Sequence, residues 1–142
     1  MPQEFRNATP IFRVANLRAS IEYYVTVLGF KLDWEYPFVA SVSRGRCGIF
    51  LAEGDQGNPG TWTWIGVSDA DTLFDEYQDK GAKVRKANFK WAYEMQVEDL
   101  DGNVLRLGSE AKPDVPLGPW RDMHGDRWSP TPGGGSARVE GN

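Results

Sequence analysis

Few residues of this 142-residue chain have the types and spacing that enzyme chemistry requires. Its only histidine is His124 and its only cysteine is Cys47, and the two are far apart in the sequence. No nucleophile stands close to a base, and no glycine-rich phosphate loop is present. Asp69 and Asp71 form a close carboxylate pair, but they stand where a helix is expected to begin, and capping explains them better than acid–base chemistry. The spacing therefore predicts no catalytic residue.

Tryptophan is the residue type that points to a binding function. The chain contains six tryptophans, and tryptophan is common where a protein clamps a flat or amphipathic ligand. Trp62 and Trp64 stand two positions apart in a strand-like segment, so both indoles lie on one face of that strand. For any single tryptophan, burial in the core is the alternative.

Composition and charge narrow the class of protein. Sixteen basic and twenty acidic residues give a net charge of −4, and no cluster of Lys and Arg marks a nucleic-acid interface. No apolar run approaches the roughly 20 residues needed to cross a bilayer. The beginning of the chain does not look like a signal peptide, and one cysteine cannot form an intramolecular disulfide. We expect a cytoplasmic protein that binds neither nucleic acid nor membranes.

The chain divides near residue 110. Its length suits one ordinary domain, and from Ala111 onward it is rich in Pro, Gly and charge, which bury too little apolar surface to offset the ordering entropy. We predict a folded domain over residues 1–110 and a tail over 111–142 that is partly or wholly disordered. Trp120, Met123 and Trp128 are the residues by which part of this tail would dock.

Within residues 8–110 one pattern occurs twice. In each copy a short strand leads to a helix with one apolar face, and three strand-like segments follow. Asn16 caps the first helix, which ends by Gly29; Ser68 or Asp69 caps the second, which ends by Gly81. The predicted strands are residues 9–14, 31–36, 38–43 and 48–52, then 62–67, 83–86, 89–97 and 104–107. This predicts an α+β fold of two tandem βαβββ modules, at about residues 8–53 and 62–109.

Two stretches carry a resemblance to a known family. The first runs from Val14-Ala15-Asn16-Leu17 to Val27-Leu28-Gly29-Phe30, and the second is residues 99–107, with the turn Asp101-Gly102-Asn103. In these stretches the chain resembles the glyoxalase/bleomycin resistance protein/dioxygenase (vicinal oxygen chelate) superfamily, and within it the bleomycin-resistance-like members. The resemblance implies sheets that curl into half-barrels around a cavity, and it implies a homodimer.

The resemblance also tells us where a metal would bind. Metal-dependent members carry His or Glu on the first and last strand of each module. The corresponding positions here fall at or next to Thr9, at Trp62, near Leu51 and at Arg106. None of these side chains suits a divalent metal, so the resemblance implies no metal site, no cofactor and no cation-assisted lyase or dioxygenase chemistry. The alternatives are a misaligned strand, or His124 brought in by the tail.

The same comparison implies a ligand cavity. Trp62, Trp64 and Arg106 would face it, and the arginine offers a fork of donors to a carboxylate or carbonyl. Alternatively, Arg106 pairs with Glu94 or Glu98 across the sheet.

Bleomycin-resistance proteins also lack the metal ligands, and they hold their ligand between aromatic side chains in grooves at the dimer interface. The resemblance places Trp34 and Phe38 where such groove aromatics lie, and Trp91 in the strand before the Asp101-Gly102-Asn103 turn. The predicted ligand-binding set is Trp34, Phe38, Trp62, Trp64, Trp91, Tyr93 and Arg106.

These expectations combine into one functional prediction. The chain is predicted to be a metal-independent, antibiotic-sequestering protein that binds a small organic ligand, cationic or planar and aromatic, as a homodimer. The alternative is a glyoxalase- or dioxygenase-like enzyme, a lyase or oxidoreductase, with an atypical site led by a carboxylate such as Glu94.

Overall fold

The computed structural model describes residues 2–88, 92–111, 120–121, 126–131 and 136–139. The first module consists of β1 (Ile11–Arg13), α1 (Leu17–Thr26), β2 (Lys31–Tyr36), β3 (Val39–Arg44) and β4 (Cys47–Ala52). The second consists of β5 (Trp62–Gly66), α2 (Ala70–Asp79), β6 (Lys83–Asn88), β7 (Ala92–Glu98) and β8 (Val104–Glu110). None of the helices in the described residues is long and apolar enough to span a membrane.

Each module forms its own four-stranded sheet with the same topology. The strand orders are β1-β4-β3-β2 and β5-β8-β7-β6, and in both sheets the first strand pairs parallel with the last while the other pairs are antiparallel. The predicted α+β fold of two βαβββ modules is therefore confirmed.

Both helices begin at capping residues that the sequence predicts. The Asn16 side chain accepts a hydrogen bond from the backbone N–H of Ala19. The second cap is Asp69, whose carboxylate accepts from the N–H groups of Asp71 and Thr72. A side-chain acceptor at this position satisfies amide groups that have no partner within the helix. Asp69, rather than Ser68, therefore determines where α2 starts.

The strands match the prediction closely except at their ends. β2 has the predicted bounds, whereas β1 is shorter than residues 9–14 and β8 extends to Glu110 rather than ending at 107. The extension depends on pairing with other strands, because Gly108 is in register with both Gly66 of β5 and Glu94 of β7. Residues 89–91, predicted to begin the long strand β7, lie outside the described residues.

The helices pack on one face of their sheets and form a common hydrophobic core. Its wholly buried side chains include Phe12, Tyr24, Val42, Ile49, Leu51, Tyr93, Met95, Val97 and Leu105. Burial of this much apolar surface is the main favourable term in the stability of the fold.

A turn of the second module ties the two modules together. Asp99 accepts hydrogen bonds from the backbone N–H groups of Asp101 and Asn103 at 2.8 and 2.9 Å, and from the hydroxyl of Tyr24 at 2.9 Å. The Asn103 amide donates to Asp99 at 2.9 Å and to the carbonyl of Arg13 at 3.0 Å. Burial raises the pKa of Asp99, and the hydrogen bonds oppose this rise. The network connects α1 and β1 to the β7–β8 turn.

An ion pair forms a second connection between the modules. Arg44 of β3 holds Glu76 of α2 through two hydrogen bonds of 2.7 and 3.0 Å, and it also donates to the carbonyl of Leu28 at 2.9 Å. The hydrogen bond from Arg44 lowers the pKa of Glu76. The Tyr77 hydroxyl donates to the same Leu28 carbonyl at 2.7 Å, and burial raises the pKa of Tyr77 to about 12.

Beyond residue 111, the described residues contain three short strands. They are β9 (Trp120–Arg121), β10 (Arg127–Pro130) and β11 (Ser136–Arg138), paired antiparallel in the order β11-β10-β9. Part of the predicted tail therefore has local strand pairing, while the domain boundary at residue 110 stays a prediction. Met123 and His124 lie outside the described residues.

Candidate functional site

Each sheet has a face that packs on its helix and an opposite face, called here the open face. Strand alternation places successive side chains on the two faces. Strand register then assembles rows of neighbours across the sheet. One row on the open face of the second sheet contains Trp64, Arg106, Gln96 and Arg85. The corresponding row of the first sheet contains Ile11, Phe50, Ser41 and Trp34.

The indole of Trp64 lies flat against glycines of two strands. A methyl group at Gly108 would stand 2.8 Å from Cζ2 of Trp64, and one at Gly66 would stand 3.4 Å from its Cζ3. A methyl group at Gly108 would therefore force the ring to shift, whereas one at Gly66 would make ordinary van der Waals contact with it. Trp64 is nevertheless 59% exposed, and its neighbour Trp62 is 48% exposed. The second module thus presents two indoles to solvent, one of them seated on the sheet.

A buried carboxylate fixes the polar edge of Trp64. Glu94 is only 8% exposed, and its Oε1 accepts from the indole Nε1 of Trp64 at 3.3 Å. Its Oε2 accepts from Nε and Nη2 of Arg106 at 3.0 and 2.6 Å. The alternative noted above, that Arg106 pairs with Glu94, is therefore confirmed. The ion pair with Arg106 offsets the free-energy cost of burying the Glu94 carboxylate. It also places the Arg106 guanidinium beside the indole.

Two further polar residues of the same row, Gln96 and Arg85, do not form a hydrogen bond with each other. Oε1 of Gln96 is buried and has no hydrogen-bond partner among the described residues. Gln96 stands in register between Arg85 and Arg106, yet Arg85 donates to the carbonyl of Val84 at 2.8 Å instead. Unpaired buried acceptors are uncommon in folded proteins, and each one needs an explanation. Sequence reasoning did not identify Gln96 or Arg85.

The open face of the first sheet carries a second aromatic cluster. The ring centroid of Trp34 lies 5.2 Å from that of Phe50 and 5.5 Å from that of Tyr36, in tilted arrangements typical of favourable aromatic pairs. A bulge at Asp33 shifts the register of β2, and the Asp33 carboxylate accepts from the Ser43 hydroxyl at 2.8 Å. Phe50 and Tyr36 were not predicted from sequence.

The predicted ligand-binding residues do not all lie together. Trp34 and the exposed Phe38 belong to the first module, whereas Trp62, Trp64 and Arg106 belong to the open face of the second. Within the described ranges no ring contact joins Trp34 to either of these tryptophans.

Tyr93 is wholly buried in the core cluster and lies on the opposite face of β7 from Glu94. Trp91 lies outside the described residues. The structure therefore brings Trp62, Trp64 and Arg106 together, and it does not bring Tyr93 to them.

An open cleft of about 1360 Å³ is lined by both modules. Its walls include Phe30, Arg44, Cys47, Trp64, Leu73 and Tyr77. Burial raises the pKa of the Cys47 thiol, which disfavours the reactive thiolate. The cleft thus places Trp64 beside a space larger than the roughly 300–1,000 Å³ of typical small-molecule pockets, so a small organic molecule would fill only part of it.

The residues at the family's metal positions do not fit a divalent cation. Leu51 is buried in the core, and the neighbouring residue on the open face is Phe50. In the second sheet the corresponding positions are Trp62 of β5 and Arg106 of β8, and neither side chain supplies the imidazole or carboxylate that such metals need. No group of three His, Cys, Asp or Glu side chains suited to a metal occurs in the part of the chain that the structure describes.

Comparison with solved structures identifies the fold. A bleomycin resistance determinant encoded on the transposon Tn5 matches with a TM-score of 0.66 and 15% identity, over 76% of this chain and 100% of that one. The bleomycin-binding protein of Streptomyces verticillus, solved with copper(II)-bleomycin, matches with a TM-score of 0.61 and 20% identity, over 78% and 100%. A glyoxalase/bleomycin resistance protein from a Streptomyces species matches with a TM-score of 0.62 and 22% identity, over 73% and 100%.

Comparison at the level of sequence gives the family. No curated protein matches the sequence. The model of the Glyoxalase/Bleomycin resistance protein/Dioxygenase superfamily matches residues 8–107, which include both modules. The duplicated topology and the similarity to solved bleomycin-resistance structures agree with this match. The chain therefore belongs to the glyoxalase/bleomycin resistance protein/dioxygenase superfamily.

Proposed function

We propose that this protein is a metal-independent small-molecule-binding protein of the bleomycin-resistance type, which sequesters a planar organic ligand in an aromatic-lined groove. One observation carries the proposal. The Trp64 indole is seated on Gly66 and Gly108 and held at its N–H by Glu94, while much of the ring stays open to solvent. A rigid, solvent-facing aromatic surface loses little entropy when a flat ligand stacks on it.

The polar groups nearby favour binding over turnover. The alternative, a glyoxalase- or dioxygenase-like enzyme, would need Glu94 as an acid or base. Both oxygens of its carboxylate already accept hydrogen bonds from Arg106 and Trp64, so neither is placed to accept a proton from a substrate. The side chains at the family's metal positions also suit contact with an organic ligand better than metal coordination.

A homodimer is part of the proposal. The aromatic clusters of Trp34 and Trp64 lie on different sheets, and a shared groove would combine the Trp34 cluster of one subunit with the indoles of the other. Exposed aromatic side chains such as Phe38 and Tyr36, which are costly to leave in water, support such an interface. The structural relatives named for bleomycin resistance or binding support antibiotic sequestration as the biological role, which we place in the cytoplasm.

The direct test is a calorimetric titration of metal-analysed protein with copper-free bleomycin. We expect saturable binding near one ligand per subunit, lost in Trp64→Ala and retained in Leu100→Ala, which changes an exposed apolar residue in the β7–β8 turn. Calorimetry is preferred for the variants because Trp64 is itself a fluorescent reporter. A stoichiometric bound divalent metal with no binding of any aromatic ligand would overturn the proposal.

A further inference from the structure

An exposed carboxylate lies beside the seated indole of Trp64. Alternation along β8 places Arg106, Gly108 and Glu110 on the open face. Glu110 is therefore the next side chain on this face after Gly108, against which the indole packs. Two positions along a strand span about 7 Å, and Trp64 and Glu110 line the same cleft. The Glu110 carboxylate is thus within reach of a group carried by a ring that stacks on the indole.

Glu110 differs from the other carboxylates of this face because no cation pairs with it. The Glu94 carboxylate is held by Arg106, and Glu98 is held by Lys83 at 3.0 Å. Glu110 is exposed, and its side chain forms no ion pair or hydrogen bond within the described part of the chain. Water solvates such a carboxylate, so it stays available to a ligand that carries a positive charge.

The other charges around the cleft do not cancel that of Glu110. Arg44 is paired with Glu76, and Asp69 caps α2. Arg46 belongs to the wall that the first module contributes, in the exposed β3–β4 turn. The charged lining consists of two arginines and three carboxylates. The cleft is therefore net negative, and its unpaired negative charge lies on the wall that also carries the indole.

We propose that Glu110 selects for a positive charge, and that the ligand of this cleft is an aromatic ring bearing a protonated amine on a short linker. The ring stacks on Trp64 and the ammonium contacts Glu110. This inference rests on the proposed binding function, and it names the ligand class and one residue that determines specificity. A carboxylate gives an ammonium a charge-assisted hydrogen bond, and the face of an indole also attracts cations.

An anionic ring fits this wall poorly. Glu110 would repel it, and Arg106 is already engaged by Glu94. Arg85, which donates only to the carbonyl of Val84 among the described residues, lies on β6. That strand is three positions from β5 in the sheet, or about 14 Å away.

The test compares three probes that share a naphthalene ring. They are 2-naphthylmethylamine, which is a cation at neutral pH, the neutral 2-naphthylmethanol, and the anion 2-naphthylacetate. Calorimetry measures their binding to the full chain at low and high salt. We expect the amine to bind about five- to tenfold more tightly than the alcohol, as one exposed ion pair and one cation–π contact would give, with the anion weakest. The advantage of the amine should shrink at high salt, because exposed charges are screened.

Variants assign this preference to Glu110. Glu110→Gln keeps the shape of the side chain and removes its charge, so the affinity for the amine should fall to that for the alcohol. The matched control is Glu22→Gln, which removes the same charge from an exposed position of α1 outside the cleft. This control should keep the full advantage of the amine. Trp64→Ala should weaken the binding of both probes, because both stack on the indole.

The outcomes separate this inference from the function on which it rests. If the amine and the alcohol bind equally, or the anion binds best, and Trp64→Ala weakens binding, the binding function stands and the cationic ligand class is refuted. A Glu110→Gln variant that still prefers the amine refutes the role of Glu110. If bleomycin binds and none of the naphthalene probes does, the inference alone fails. If neither bleomycin nor any probe binds, the proposed function fails with it.

Discussion

The ring of Trp64 lies so close to Gly108 that a methyl group at position 108 would stand 2.8 Å from Cζ2 of the indole. Gly108→Ala should therefore push the indole off the sheet and break its 3.3 Å hydrogen bond to Glu94. We expect ligand affinity to fall several-fold, and acrylamide quenching of tryptophan fluorescence to increase as the ring moves into solvent.

Gly48→Ala is the matched control for this change. Gly48 lies in β4, and a methyl group there would meet nothing within 4 Å. Unchanged quenching and affinity in Gly48→Ala, together with the loss in Gly108→Ala, would assign the effect to the indole. If Gly108→Ala binds ligand as the wild type does, the seated ring is not the binding surface.

The buried carboxylate of Asp99 should matter more to stability than any one of its partners. Asp99→Ala leaves several buried donors without an acceptor, and we expect the free energy of unfolding to fall by about 2–4 kcal/mol. Tyr24→Phe removes a single hydrogen bond and should cost only about 1 kcal/mol. Urea denaturation measures both, with exposed Asp55→Ala as a control expected to change stability by less than about 0.5 kcal/mol. Equal effects of the first two variants would contradict this ranking.

The ion pair between Arg44 and Glu76 should stabilise the fold in a pH-dependent way. Its side chains are 38% and 40% exposed, so solvent screening limits its contribution to below about 1 kcal/mol. Arg44 lowers the pKa of Glu76 in the folded protein. The stabilisation is therefore present above the unfolded pKa of Glu76, and it is lost as the pH falls through the lower folded pKa.

Denaturation of wild type and Glu76→Gln at several pH values between about 7 and 3 measures this dependence. The two curves should differ near neutral pH and converge in acid. Glu22→Gln, at an exposed position of α1, should follow the wild type throughout. A difference between wild type and Glu76→Gln that stays constant with pH would mean that the ion pair does not stabilise the fold.

Subunit mixing tests whether a ligand groove is shared between two chains. Trp34→Ala and Trp64→Ala should each weaken binding in a homodimer. In a mixed dimer one groove would keep both wild-type tryptophans, so random mixing should restore about a quarter of the tight sites. Calorimetry after denaturation and refolding of an equal mixture measures the recovery, and light scattering measures the mass. No recovery, or the mass of a single chain, would contradict the shared groove.

The sequence predicted the elements well because their signals are local. Asn16 and Asp69 cap helices through their own side chains, and β2 has the predicted bounds. The alternation in β7 is also real, since Tyr93 is buried and the next residue, Glu94, lies on the open face. Alternation cannot tell which side of a strand will pack against a helix. That is why Tyr93, on the core side, was included among the predicted ligand contacts.

The site depends on contacts between residues of different strands, which local sequence patterns do not reveal. Phe50 meets Trp34 only because the bulge at Asp33 resets the register of β2. Gly108 contacts the indole only because β8 lies between β5, which carries Trp64, and β7, which carries Glu94. Such contacts are set by pairing between strands that are distant in the sequence, and local patterns do not show which residues will lie opposite each other.

The turn at Asn103 limits how far the two repeated modules can act as separate units. Its amide donates to the carbonyl of Arg13, and its neighbour Asp99 accepts from Tyr24, both in the other module. Excising either repeat would remove these partners and expose the apolar surface of the shared core to water. A fold that arose by duplication is therefore expected to melt cooperatively, as one unit, and neither half should survive alone as a soluble fragment.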